Sequence, residues 1–225
     1  MSTAMITPPT FDFLRDLKAN NNRDWFTEHK PRYQAAHKAF KAFANVLLDE
    51  VSHHDEIENL KLFRIYRDVR FSKDKSPYKP HFSGSMIRAT KWRRGGYYFH
   101  LSPGSSFAGG GFWDPNTDDL KRIRTEIANH PEEMREVLQH PELQQYFDGL
   151  EGDQVKTAPR GFTKDHPAID LLRYKQFLLT HPFTDEEVLA PGFTQQLSRV
   201  FQAMRPFFDY MSEVLTTDEN GVPIE

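Results

Sequence analysis

The apolar positions of the chain form two helical blocks around a middle stretch of strand-like period. In "YQAAHKAFKAFANVLLDEV" the residues Tyr33, Ala36, Phe40, Phe43, Leu47 and Val51 recur every three or four positions, which draws one stripe along a helix. Pro31 suits the first turn of that helix. A shorter helix carrying Phe11, Phe13, Leu14 and Leu17 precedes it and stops at the turn-prone Asn20 to Asn22. The middle changes period. "LKLFRIYRDVRF" alternates with β-branched and aromatic side chains, "HFSGSMIRA" and "GGYYFHLS" read as short strands, and "SSFAGGGFW" returns as a hairpin partner after Pro103-Gly104. About four consecutive strands of this kind predict an antiparallel sheet.

Helical period resumes at Leu120, Ile123 and Ile127, with Asn116 or Thr117 as cap and Asp118 and Asp119 in the first turn. The last block, "TQQLSRVFQAMRPFFDYMSEVL", sets Leu197, Val200, Phe201, Met204, Phe208, Met211 and Leu215 on one face, with a kink expected at Pro206. Strands and helices do not alternate regularly, so a doubly wound parallel sheet is not expected. The pattern predicts an α+β fold, with a small, mainly antiparallel sheet from the middle of the chain packed against N-terminal and C-terminal helices. With 225 residues, the whole chain, 1–225, reads as a single domain.

Composition narrows the chemistry. There is no cysteine, which removes disulfides, zinc-thiolate sites and a cysteine nucleophile. The start "MSTAMITPPTF" lacks the basic and apolar regions of a signal peptide, and no apolar run reaches the roughly 18 residues of a membrane span, so a soluble cytoplasmic protein without membrane partners is expected. The formal net charge is -3, yet Lys61 to Arg94 holds eleven Lys/Arg against Asp68 and Asp74, a local net of +9. A basic segment in an acidic chain suggests a local anion site more than a wholly basic nucleic-acid module. Internal pairing with the acidic remainder is the alternative reading.

Within "RDVRFSKDKSPYKPHF", Arg67 to Phe82, a regular strand running on from Leu62 to Phe71 sets Phe63, Ile65, Arg67, Val69 and Phe71 on one face. Arg67 then interrupts an apolar face and needs a buried carboxylate partner, or a bulge that turns it outward. Arg64 and Arg70 share the other face with Tyr66 and Asp68, as guanidinium forks suited to carboxylate or phosphate. Beyond them Lys73, Lys75, Tyr78 and Lys79 occupy a loop, with Asp74 placed to orient a neighbouring lysine. On "YYFHLS", Tyr98, His100 and Ser102 alternate with Tyr97, Phe99 and Leu101. His100 is the best-placed acid/base candidate, with Asp68 as a second. Tyr78, Trp92, Tyr97 and Tyr98 suit either ring stacking on a ligand or ordinary cross-strand pairing.

Named motifs are absent. "GSSFAGGG" has the first spacing of a phosphate-binding loop, but Gly110 and Gly111 stand where Lys and Ser/Thr belong. Ala108 breaks G-x-S-x-G in the same segment. Glycines 109 to 111 are better read as allowing positive φ or close backbone approach. His130, His140, His166 and His181 each precede proline and are expected at helix boundaries; their spacing matches no metal motif. No metal or other cofactor is specified, although scattered carboxylates leave magnesium open. No oligomeric state is specified either.

The stretches "FLRDLKANNNRDWFTEHKPRY", "RDVRFSKDKSPYKPHF", "YYFHLSPGSSFAGGGFW" and "APRGFTKDHPAIDLLRYKQF" together resemble the domain of unknown function 2461 family, over about Phe11 to Phe208. The resemblance implies one unit whose motifs belong together, with Asn21, Trp25, Lys156, Arg160 and His166 as companions of the basic stretch. It transfers no catalytic residue. Three functional classes follow. The first is a small-anion-binding domain for a phosphorylated or carboxylate-bearing ligand, using Arg64, Arg67, Arg70, Lys73, Lys75, Tyr78, Lys79 and Arg160, with His100 or Asp68 supplying acid/base chemistry if it is an enzyme. The second is a nucleic-acid-binding module, and the third is a non-enzymatic interaction or scaffold protein.

Overall fold

The computed structural model of the chain describes residues 5–218 and 220–224. The first four residues, part of the stretch read for a leader, lie outside them. In chain order the elements are α1 (Pro8–Ala19), α2 (Arg23–Glu28), α3 (Lys30–Ser52), β1 (Ile57–Leu62), β2 (Phe82–Arg88), β3 (Gly96–Leu101) and β4 (Ser106–Phe112). Then follow α4 (Thr117–Asn129), α5 (Pro131–Leu138), α6 (Pro141–Gln144), α7 (Ile169–Leu172), β5 (Phe177–Phe183), α8 (Asp185–Leu189), α9 (Phe193–Ala203) and α10 (Arg205–Thr216). The strands form one antiparallel sheet in the order β1-β2-β3-β4-β5, so the fold is α+β with helices from both ends of the chain against the sheet. No helix among the described residues is long and apolar enough to cross a membrane.

The described residues divide into two compact units, the first drawn from 5–86, 98–108 and 182–199 and the second from 87–97, 109–181, 200–218 and 220–224. In the first, the stripe of α3 meets one face of the sheet: Phe40 stacks on Phe82 at 5.0 Å between ring centroids, and Phe43 lies edge-on to Phe99 at 6.3 Å. Gly84 makes room for this layer, because a Cβ there would lie 2.5 Å from the Phe99 ring. Asn22 caps α2 by accepting from the Trp25 amide, and Pro31 sits in the first turn of α3.

In the second unit, Ile123 and Ile127 of α4 and Met134 of α5 are buried along with Phe207, Phe208 and Met211 of α10. Tyr97 packs on Phe201 and Phe208, at 4.8 and 5.2 Å. Asn116 caps α4 by accepting from Asp118 and Asp119. Gly111 has φ +132°, and any Cβ there would collide with the Phe177 carbonyl. Close backbone approach is thus its role, as the glycine run suggested.

Three expectations change. The strand expected from Leu62 to Phe71 ends at Leu62. Beyond it the chain folds back on its own return limb, through Arg67 N–H to Pro77 C=O (2.9 Å) and Lys79 N–H to Ile65 C=O (2.7 Å), with a lone antiparallel bridge from Tyr66 to Tyr78. Pro77 and Pro80 have no N–H to extend that ladder. The final helix is two helices that part at Met204, with Pro206 in the first turn of α10. A fifth strand, β5, contains His181 and Pro182, so that His-Pro pair marks no helix boundary. Proline is tolerated there because β5 is an edge strand. His130 and His140 do flank helices, as caps of α5 and α6.

Candidate functional site

Alternation along β3 buries Phe99 and Leu101 and leaves Tyr98 and His100 half-buried on the opposite face. The same period at the start of β2 buries Phe82 under α3 and sends His81 and Ser83 to the Tyr98 side. There the two imidazoles lie against each other, with ring centroids 4.0 Å apart. Phe107 of β4 stacks on His100 at 4.9 Å, and Phe63 lies 6.2 Å from Tyr98. A polar chain runs behind the rings: Ser83 bonds the Tyr98 phenol, and the phenol lies 3.0 Å from Nδ1 of His100. Among the described residues, neither nitrogen of His81 nor Nε2 of His100 has a hydrogen-bond partner.

Positive side chains surround this face. Lys61 and Lys79 reach over the Phe63 ring at 5.4 and 5.7 Å. Burial lowers the His81 pKa to about 3, helped by His100, Lys79 and Arg67, and burial alone lowers that of His100 to about 4. Both imidazoles are therefore uncharged at neutral pH, each with one donor and one lone pair.

The remaining predicted site residues are dispersed. Arg67 is one-third exposed and pairs with Asp74 of its own loop, so it is not the buried guanidinium expected. Asp74 also accepts from the Ser76 amide and hydroxyl, and these bonds together with Arg67 hold its pKa down at about 2; no bond joins it to Lys73 or Lys75 among the described residues. Arg70 grips Asp68 in two-pronged fashion at 2.7–3.2 Å, both exposed, and this keeps the Asp68 carboxyl below its usual range. No hydrogen bond or ion pair joins Asp68 to either imidazole among the described residues. Lys75 bonds the Val69 carbonyl at 3.0 Å. Tyr78 is buried against Phe26, 4.0 Å between centroids, and is a structural post for the loop. Arg64 and Lys73 are exposed, with no ion pair among the described residues. Arg160, Lys156 and His166 belong to the second unit.

Of the resemblance's companions, Asn21 clearly serves the basic stretch. Its side chain donates to the Tyr78 carbonyl at 2.9 Å and accepts from the Tyr78 amide at 3.1 Å. The buried arginine of the segment is Arg88, fully enclosed and bonded to Asp209 at 2.6 Å and to the Arg94 carbonyl at 3.2 Å. Arg94 pairs with Asp119. The +9 segment is therefore partly an internal charge lattice, and four of its eleven basic residues, Arg88, Lys91, Arg93 and Arg94, belong to the second unit. His81 and Ser83 were missed, although the alternation His81, Ser83 against Phe82, Gly84 was there to find them.

A groove of about 1380 Å³ occurs in the second unit, lined by Lys121, Arg122, Glu126, Glu133, Tyr210 and Glu213 among others. Burial and the three glutamates push the Tyr210 phenol pKa up. Asp118 and Asp218 add to that acidic lining, which repels anions, so size alone does not make the groove the site. No cluster of three or more metal-binding side chains occurs among the described residues.

Among curated proteins and solved structures nothing matches the chain. Comparison with protein families matches residues 9–210, a span that contains the imidazole pair, its aromatic walls and the Asn21 clamp, to the family described as conserved hypothetical protein (DUF2461). The chain belongs to the DUF2461 family.

Proposed function

We propose that the protein binds a small oxyanion, a phosphorylated or carboxylate-bearing ligand, at the face formed by His81, Tyr98 and His100, with Lys79 and Arg67 supplying positive charge. The observation that carries this reading is the uncharged imidazole pair held in a positive field. Burial and neighbouring cations both disfavour imidazolium, and an arriving anion reverses the second of these. Ligand binding therefore raises the basicity of the pair, which fits His100 and His81 for proton transfer if the ligand is a substrate. Asp68, held ionised by Arg70, is poorly suited to donate a proton.

The family match spans both compact units, which supports treating the chain as one functional unit. A cysteine-free sequence fits a reducing, cytoplasmic setting. Calorimetry with inorganic phosphate tests the reading: Lys79→Ala should weaken binding several-fold, and equal affinity for parent and variant counts against it.

One observation favours a nucleic-acid reading as the second choice. Phe71 is 96% exposed with Arg70 over its ring at 6.0 Å, and Tyr66 is 55% exposed. Exposed rings beside cations stack on unpaired bases. Affinity for a short oligonucleotide that falls steeply with salt and is lost in Phe71→Ser would move this reading ahead.

A further inference from the structure

Resting on the anion site proposed above, we infer that the ligand is an oxyanion that carries its own proton, a phosphate group with a free hydroxyl, and that the site discriminates against sulfate. The Tyr98 phenol is hydrogen-bonded to Ser83 and lies 3.0 Å from Nδ1 of His100; we take Ser83 as the donor to the phenol oxygen, which leaves the phenol's own hydrogen to point at Nδ1. That places the His100 proton on Nε2 and makes its outer nitrogen a donor. His81 lies against this ring at 4.0 Å between centroids, with the two planes tilted by 36°. As an uncharged imidazole it has one N–H and one bare lone pair, with no partner for either among the described residues.

Everything charged that faces His81 keeps it that way. Lys79 and Arg67 from the loop act on it directly. Lys61, at the end of β1, shares the Phe63 ring with Lys79. Ser83, Tyr98 and Phe107, from β2, β3 and β4, contribute hydroxyls and a ring but no carboxylate. A second imidazolium at stacking distance from the first is opposed by like charge. The site therefore offers several donors and one acceptor. Sulfate near neutral pH has only acceptor oxygens, so it sets an oxygen lone pair against that of His81 or leaves the imidazole unsatisfied. Hydrogen phosphate fits both kinds of group, since its unprotonated oxygens accept from His100 and the cations while its hydroxyl donates to His81. A phosphate monoester does the same only while singly ionised, below its second pKa near 6.

Calorimetric titration of the full chain with sodium phosphate and sodium sulfate, at matched ionic strength near pH 7, tests this. Phosphate should bind on the order of ten-fold or more tighter than sulfate. Methyl phosphate near pH 6 should retain that preference and lose it near pH 8, which separates an esterified ligand from free phosphate. His81→Phe keeps the ring stacked on His100 and removes the lone pair, so its phosphate-to-sulfate ratio should fall towards one. Equal affinity for the two anions on the unaltered chain overturns the inference while leaving the anion site standing. Binding of neither overturns both. The comparison on the unaltered chain decides the matter even if the variant does not fold.

Discussion

Acid should destabilise this protein through its imidazole pair before its carboxylates are reached. The ordinary histidine pKa is about 6.5, whereas His81 and His100 are lowered to about 3 and about 4 in the folded chain. A histidine with a depressed folded pKa stabilises above its unfolded pKa, and that stability is lost as pH falls from there towards the folded value. The window thus runs from roughly pH 6.5 down to about 4 for His100 and about 3 for His81. At about pH 5 both rings are nearly all protonated in the unfolded chain and uncharged in the fold. That costs about 2 kcal/mol each, ~4 kcal/mol for the pair, and ~2 kcal/mol once the water reaching these half-buried rings is allowed for. Urea unfolding at several pH values between about 8 and 4.5 reads the loss directly. The variant His81→Phe/His100→Phe preserves both stacked rings and should flatten the slope, by up to about 2.7 kcal/mol per pH unit if two protons are involved. His37, also lowered by burial and then by Lys41, adds a slope common to parent and variant, so the difference isolates the pair. Asp74 contributes only below the pH range of that series, between its ordinary value and about 2. Parallel pH slopes for parent and double variant would refute the assignment of uncharged, mutually opposed imidazoles.

Other consequences are structural. Asp209→Ala leaves the enclosed Arg88 guanidinium short of its carboxylate and should cost about 1–3 kcal/mol by chemical denaturation, less than for a sealed pair because Asp209 is half in water. Asn21→Ala removes both hydrogen bonds that hold the Tyr78 backbone; a loss of about 1–3 kcal/mol is expected, with faster amide exchange at Tyr78 and Lys79 than at Phe99. Gly111→Ala places a Cβ into the Phe177 carbonyl at φ +132° and should cost more than about 3 kcal/mol, read as insoluble or unfolded protein. Phe71→Ser, by contrast, should leave stability within about 0.5 kcal/mol.

Legibility followed local physics. The stripes of α1, α3 and α4, the turn at Asn20 to Asn22, the cap at Asn116, and the β3–β4 hairpin are set by side chains close in sequence, and they lie where period and turn chemistry put them. The basic stretch misled because apolar alternation from Phe63 to Phe71 resembles a strand, while its backbone partners are Pro77 and Lys79 of the same loop and its clamp is Asn21. β5 was obscured by Pro182, whose missing N–H an edge position tolerates. Within the site, His100 was readable from β3 alternation. Its stacking partner His81 needed the pairing of β2 with β3, a long-range fact. Likewise the buried guanidinium moved from Arg67 to Arg88, since which arginine is enclosed depends on where α10 places Asp209.

The imidazole pair is proposed as the ligand site for a small oxyanion. NMR titration of the full chain with sodium phosphate near pH 7, following the ring signals of His81 and His100, tests it most directly. Saturable shifts of both rings, absent in His81→Phe/His100→Phe, are predicted. Rings that stay unmoved while phosphate binds elsewhere, or fails to bind at all, would contradict the account.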